Sequence, residues 1–155
     1  MIEIINNLYI GTDIDCFNFA EFKIHACKTC HQHRLGYRCS LPKTHPNYLI
    51  FEEEKDLFLN MVDMNRLLPI YTDPIMQSAL SFIDKHILEN KILIHCNQGI
   101  SRSPGITLLY MAKESLLQNS NYDSAKNDFI KIYPQSNPGI GIDNYLRDNW
   151  YKFVK

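Results

Sequence analysis

Three side chains able to do chemistry together, Cys96, Arg102 and Ser103, lie in the stretch Ile94-His95-Cys96-Asn97-Gln98-Gly99-Ile100-Ser101-Arg102-Ser103-Pro104. The run before it, Lys91-Ile92-Leu93-Ile94, is short and apolar, the kind that forms a strand buried on both faces. After it, from Arg102 to Leu117, the composition is helical. Cys96 is therefore expected at the carboxyl end of a buried strand. The next residues wrap back over it and enter a helix, with Gly99 where the backbone needs freedom. Such a loop aims the backbone N–H groups of Asn97, Gln98, Gly99, Ile100, Ser101 and Arg102 at one point, with the positive end of a helix dipole behind them. That is an anion cradle, and it favours the thiolate form of a cysteine at its floor. Arg102 adds a planar cation suited to two oxygens of one oxyanion. The hydroxyl of Ser103 can donate to the sulfur. The chemistry these types allow is attack of a thiolate on a bound phosphoryl group.

His-Cys, five residues, then Arg-Ser resembles the signature of the cysteine-dependent protein tyrosine phosphatases, and His95 to Ser103 is most similar to the small dual-specificity branch. The context agrees: an apolar strand before, a glycine within, a helix after. The resemblance implies hydrolysis of phosphorylated Tyr, Ser or Thr through a cysteinyl-phosphate intermediate, without a cofactor. In that reading Cys96 is the nucleophile, and the loop amides and Arg102 bind the phosphoryl oxygens. Ser103 eases departure of the thiolate when the phosphoenzyme hydrolyses. His95 packs and hydrogen-bonds beneath the loop rather than acting as a base. The implied fold is α/β: a compact phosphatase fold with a twisted, mostly parallel central sheet flanked by helices. The order of elements supports it over about residues 8–150, least so over 28–47.

The elements that must position these groups are legible in part. Residues 2–11 suggest two short strands, ending Leu8-Tyr9-Ile10-Gly11, and Thr12 or Asp13 caps a short helix over Ile14 to Phe19. Phe22 to Cys27 reads as a strand. Residues 28–47 read as a long polar connection with one helical turn at most. Tyr48 to Phe51 and Leu57 to Val62 form a hairpin about a charged turn. Asp73-Pro74 reads as N-cap and first residue of a helix. Ile75, Ala79, Ile83 and Ile87 give that helix an apolar face. Two further helices follow the signature, one stopped by Pro134 and one carrying Ile142, Leu146 and Phe153. Early strands and late helices around one buried strand make a single α/β domain of 155 residues.

A phosphoryl transfer also needs a proton for the leaving group, from a carboxylic acid across the pocket. Asp56, Asp63, Asp73 and Asp84 are the candidates. Asp84 lies within a helix, Asp73 has a capping task and Asp56 sits in a hairpin turn. Asp63 ends a strand at the start of an irregular loop, and Asn60-Met61-Val62-Asp63 resembles the general-acid segment of the family. The residues between Cys96 and Arg102 carry no charge, whereas phosphoinositide-directed relatives tend to carry basic residues there. This favours phosphorylated protein side chains over inositol lipids.

Composition narrows the classes further. Hydrophobic residues make up 45% and charged residues 21% of the chain, and the net charge is −1, with pI near 6.6. No basic excess supports nucleic-acid or membrane-surface binding. No apolar run is long enough to span a bilayer, and Met1 to Asn7 lacks the features of a secretory leader. Five cysteines, an odd number, fit a reducing compartment, with the cytoplasm as the expected location.

Cys27-Lys28-Thr29-Cys30-His31-Gln32-His33 offers ligand types suited to zinc. Four ligands crowded into seven residues close a tetrahedral shell poorly, and no second C-x-x-C appears, so no metal is assigned. Cys27 is read as a buried strand-end cysteine. In some phosphatases with this signature a second cysteine protects the nucleophile as a disulfide, and the resemblance makes Cys27 the candidate partner of Cys96. The competing functions are a phosphatase-like module that binds phosphoproteins without turnover, and a zinc-dependent interaction module.

Overall fold

The computed structural model describes residues 1–19 and 21–155. In chain order the elements are β1 (Ile2–Ile5), β2 (Leu8–Gly11), α1 (Asp13–Asn18), β3 (Phe22–His25), α2 (Lys28–Leu35), β4 (Ile50–Glu52) and β5 (Asp56–Leu59). There follow α3 (Pro69–His86), β6 (Ile92–His95), α4 (Arg102–Lys113), α5 (Tyr122–Ile132), α6 (Ile140–Asn149) and a closing 3-10 turn at Trp150–Lys152. The strands form one sheet in the order β1-β2-β6-β3-β5-β4. The inner pairings β2–β6, β6–β3 and β3–β5 are parallel, and the edge pairings β1–β2 and β4–β5 are antiparallel hairpins. This is the mostly parallel α/β sheet expected from the sequence.

The strand before Cys96, β6, lies at the centre with all four residues buried. Its apolar run has no polar face because helices cover both sides of it. Gly11, His95 and His25 are in register across β2, β6 and β3, so three parallel strands end together where the loop after Cys96 begins. Strand alternation then sorts the faces. His25 and His95 point to the side of α1 and α2, where Cys16 lies 3.5 Å from His25 Nδ1. Ile24 and Ile94 point to the opposite side and are fully buried. On that side α4 is buried along every residue from Ser103 to Ala112. It is buried all round because α3, α5 and α6 pack about it.

The structure departs from the sequence reading at several boundaries. Residues 28–35 form a two-turn helix, not a single turn within a loop. The segment is polar all round and only His31 is buried, so no apolar periodicity announces it. Its start is Cys27, which is the N-cap of α2 and not the last residue of β3. Helix α3 begins at Pro69 with Leu68 as N-cap, so Asp73-Pro74 lies inside it. Pro74 removes the N–H that would bond the carbonyl of Ile70, a cost that stays small because Ile70 is exposed near the helix start. Asp73 is held by tertiary partners instead: it accepts from the Tyr145 hydroxyl and pairs with Lys152 Nζ at 2.8 Å. The β4–β5 hairpin is present, but β5 ends at Leu59, so Asp63 stands four residues beyond it in irregular chain. Helix α4 ends at Lys113, short of Leu117, where Ser115 turns to φ 59°.

Helix α1 is a short element whose start is fixed by one carboxylate. Asp15 accepts from the Thr12 N–H at 2.9 Å and from its hydroxyl at 3.3 Å. The Thr12 N–H does most to hold Asp15 below the ordinary carboxylate range. A depressed carboxylate stabilises the fold above its unfolded-state pKa, and the gain is lost as pH falls through the folded value. Asp15→Asn is expected to cost about 1 kcal/mol at neutral pH. The difference from wild type should shrink below about pH 4. Urea unfolding of both proteins at the two pH values measures it, and a pH-independent difference would show that the carboxylate charge is not what matters.

Candidate active site

Cys96 follows directly on β6 and is 2% exposed at the floor of the loop. The loop is shaped by where its carbonyls go. The carbonyl of His95 accepts from Ala26 N–H at 2.9 Å, Asn97 from Asp13 N–H at 3.4 Å and Ile100 from Asn137 N–H at 2.7 Å. Gly99 presents its carbonyl to the Tyr133 hydroxyl at 2.7 Å, and Ser101 to Gly105 N–H at 2.9 Å. With the carbonyls drawn outward to the scaffold, the amides turn inward. Among the described residues, none of the N–H groups from Asn97 to Ser101 donates a hydrogen bond within the protein. Such a set of free amides at the N-terminus of α4 is a site for an anion.

Gly99 makes this path possible. Its φ is 71°, and a Cβ there would stand 3.0 Å from the carbonyl oxygen of Gly11. Any other residue at this position meets both backbone strain and the end of β2.

Arg102, the first residue of α4, reaches back across the cradle. Its Nη1 donates to the carbonyl of Met61 at 2.9 Å. Its Nε is buried with no partner among the described residues. A buried guanidinium N–H left free at the rim of an amide cradle is a donor suited to an incoming oxyanion. Ser103 Oγ lies 3.1 Å from Cys96 Sγ, both groups buried. The residues chosen from the sequence thus converge on one cavity of about 220 Å³, bounded by Cys96, Asn97, Gln98, Ile100, Ser101 and Arg102.

Of the four aspartates, only Asp63 borders this cavity. Asp56 lies beneath the sheet ends, 2.7 Å from His25 Nε2. Asp73 faces Tyr145 and Lys152, and Asp84 pairs with Lys113 at 3.0 Å. Asp63 is exposed in the segment between β5 and α3 and rests on the turn before α6. A Cβ on Gly139 would stand 2.5 Å from Asp63 Oδ1, so the missing side chain of Gly139 is the space Asp63 occupies. The same turn is tied to the loop, because Gly139 N–H donates to Ser101 Oγ at 2.8 Å. Asn137 and Gly139 therefore belong to the site, as does Tyr133 behind it. In the sequence Pro134 reads only as the stop of a helix. The Asn-Pro-Gly composition signalled the turn but not what it touches.

Beneath the loop His95 is fully buried, with one ring nitrogen, Nε2, 2.7 Å from His25 Nδ1. His25 in turn meets Asp56 through Nε2 and stacks on Phe58 with ring centroids 4.3 Å apart. Burial opposes a charge on His25, but the Asp56 carboxylate and the Cys16 thiol outweigh it and raise its pKa. The expected support of the loop by His95 is thus a chain of two buried imidazoles and a half-buried carboxylate. The partners His25 and Asp56 were not visible in the sequence. Cys27 lies past the end of β3, the strand beside β6, but its donor atom is grouped within 4.8 Å of those of Cys30 and His95.

No protein-family model matches the chain. It is 29% identical over 140 residues to the human dual specificity protein phosphatase 9, an alignment that covers 88% of this chain and 33% of that protein. The chain thus spans about one third of the length of that relative. Among solved structures, that of DUSP15 matches with a TM-score of 0.68 at 18% identity, covering 97% of this chain and 87% of that one. The human tyrosine phosphatase-like serine/threonine/tyrosine-interacting protein matches with a TM-score of 0.65 at 18% identity, covering 97% and 95%. A leucine rich repeat and phosphatase domain containing protein from Entamoeba histolytica matches at 0.66 and 16%, covering 97% and 90%. The fold is that of the dual-specificity phosphatases.

The geometry yields a test of the cradle itself. Burial pushes the Tyr133 phenol up, so it stays a protonated donor to Gly99 across the ordinary pH range. Tyr133→Phe leaves that carbonyl unpaired. It is expected to weaken tungstate binding by about three- to tenfold, the worth of one hydrogen bond. Calorimetric titration measures it, and unchanged affinity would mean that the outward carbonyls do not hold the amides in place.

Proposed function

We propose that this chain, which is of the dual-specificity phosphatase type in sequence and fold, hydrolyses phosphate monoesters on protein side chains, Tyr and/or Ser and Thr. The observation that carries the reading is the meeting of Cys96, Arg102 and Asp63 at one small cavity, with the Ser103 hydroxyl 3.1 Å from the Cys96 sulfur. The Cys96 thiolate attacks phosphorus in line with the ester oxygen. The inward amides and Arg102 hold the three equatorial oxygens, whose charge is spread in the transition state. Asp63 gives its proton to the departing alkoxide or phenoxide. The products of this half-reaction are the dephosphorylated hydroxyl and a cysteinyl-phosphate. Asp63, now ionised, then takes a proton from water as water attacks phosphorus. The thiolate leaves with the Ser103 hydroxyl donating to it, and inorganic phosphate is released.

The neutral loop supports a protein substrate over a polyanionic inositol headgroup, since Arg102 is the one cationic side chain among the described residues that line the cavity. A groove beside it contains Lys43, Tyr48, Arg66 and Tyr71, cationic and aromatic surface suited to the chain around a phosphorylated residue. Free cysteines fit action in a reducing compartment such as the cytoplasm. No helix among the described residues is long and apolar enough to cross a membrane.

A second reading is binding of a phosphoprotein without turnover. One matched fold is named as phosphatase-like and interacting. Cys96, Arg102 and Asp63 are all present here, which favours turnover. Hydrolysis of an aryl phosphate decides between the two. Wild type is expected to turn over, and Cys96→Ser to lose essentially all activity while retaining tungstate binding through the amides and Arg102. Substantial activity in the serine variant, or none in wild type, would overturn the reading.

The proton donor has its own signature. Asp63→Asn is expected to slow poor leaving groups by about two to four orders of magnitude. The loss should shrink for strongly acidic phenols, which depart without a proton. Equal losses for both classes would assign the acid to another residue.

A further inference from the structure

Beneath the phosphate loop, on the α1 and α2 side of the sheet, three of the five cysteines gather around the two buried histidines. The donor atoms of Cys16, His25 and His95 lie within 4.8 Å of one another, and so do those of Cys27, Cys30 and His95. His95 joins the two groups, and Cys16, Cys27 and Cys30 line one cavity. The proposed catalytic cycle uses none of these sulfurs.

We propose that Cys16, Cys27 and Cys30, with one imidazole of the His25–His95 pair, form a tetrahedral site for a thiophilic divalent cation, Zn²⁺ first among them. Zinc–sulfur and zinc–nitrogen bonds of about 2.3 and 2.0 Å put tetrahedral S and N ligands about 3.5 Å apart. Cys16 Sγ and His25 Nδ1 are separated by 3.5 Å. The two imidazole nitrogens, at 2.7 Å, are too close to bind one tetrahedral ion together, so the pair supplies a single ligand. His95, the imidazole grouped with all three thiols, has the support typical of a metal-bound histidine, because its Nε2 meets His25 Nδ1 at 2.7 Å and His25 Nε2 meets the Asp56 carboxylate at 2.7 Å.

The donors come from four different elements or their ends. Cys16 is on α1, Cys27 and Cys30 are the N-cap and third residue of α2, and His25 and His95 close β3 and β6. A ligand set of this kind fastens both short helices to the two central strands. An entry path exists: a cavity of about 460 Å³ reaches Cys16, Cys27 and Cys30 from solvent. The local spacing that argued against zinc in the sequence is not the geometry of this site. His31, one of the four crowded candidates, faces away to the Tyr37 hydroxyl at 2.6 Å and the Asn47 carbonyl at 2.8 Å. Binding a cation takes up three thiolates and releases their protons. It also occupies Cys27, which is then unavailable for a disulfide with Cys96.

The test is metal content after purification without chelators from zinc-supplemented medium, with titration of the metal-free protein by Co²⁺. About one zinc per chain is expected, and cobalt should give the intense visible bands and sulfur charge-transfer absorption of a tetrahedral thiolate site. Both are read on wild type, so the result does not depend on a variant folding. Cys16→Ser and Cys30→Ser should each lower zinc content at least tenfold under dialysis, while Cys39→Ser, at an exposed position, should not. Cys96→Ser should also keep the zinc, which separates this site from the phosphate loop and from the fate of the phosphatase reading. Metal-free wild type with no cobalt charge-transfer band would overturn the proposal. So would a Cys27–Cys30 disulfide as the stable state, or equal loss of zinc on Cys39→Ser.

Discussion

The site depends on a division of the backbone: carbonyls outward, amides inward, over the five residues from Asn97 to Ser101. A peptide unit cannot turn its N–H to a ligand without turning its C=O the other way, so an amide cradle exists only where the scaffold accepts the carbonyls. Here the acceptance comes from every side. Ala26, Asp13, Tyr133, Asn137 and Gly105 each donate to a carbonyl between His95 and Ser101. Those donors belong to the end of β3, the start of α1, the end of α5, the turn before α6 and α4 itself. Much of the fold can therefore be seen as the set of elements needed to hold one loop inside out.

The same constraint explains why the late helices matter to a site built on an early strand. The turn over residues 134–139 receives the Ile100 carbonyl, donates to Ser101 Oγ and leaves at Gly139 the space that Asp63 fills. One short turn thus positions the loop and the proposed proton donor relative to each other. Geometry of this precision matters because a proton donor acts only within hydrogen-bond reach of the leaving oxygen. Asp63 itself gets no help from regular structure, since it lies in irregular chain between β5 and α3.

What the sequence made legible follows the range of the interactions involved. The cradle residues were readable because strand, loop and helix N-terminus are adjacent in the chain, and their types state their tasks. The sheet was readable from short apolar runs. Asp73-Pro74 misled because an N-cap and an N1 proline are a local pattern, while the start of α3 was set by Pro69, and Asp73 serves Tyr145 and Lys152 across the fold. Helix α2 was missed for the opposite reason: it has no apolar face, and its one buried side chain, His31, is polar and satisfied by Tyr37 and Asn47. Tyr133, Asn137 and Gly139 carry no local signal of their place in the site, because each is tied to a residue at least thirty positions away.

The buried polar chain under the loop sharpens this point. Burying His95, His25 and Asp56 together would cost more than an apolar core unless each is paired. His25 satisfies both neighbours, at 2.7 Å on each side, yet His95 Nδ1 has no partner among the described residues. What an apolar residue cannot do is place an imidazole between the Cys16 thiol and the thiols of Cys27 and Cys30. The polar residues under the strand ends thus make physical sense as ligands and ligand supports, brought together by parallel strand register at His25 and His95. In the linear sequence they are seventy residues apart, which is why the cysteine pair at the start of α2 looked like half of a site with no other half.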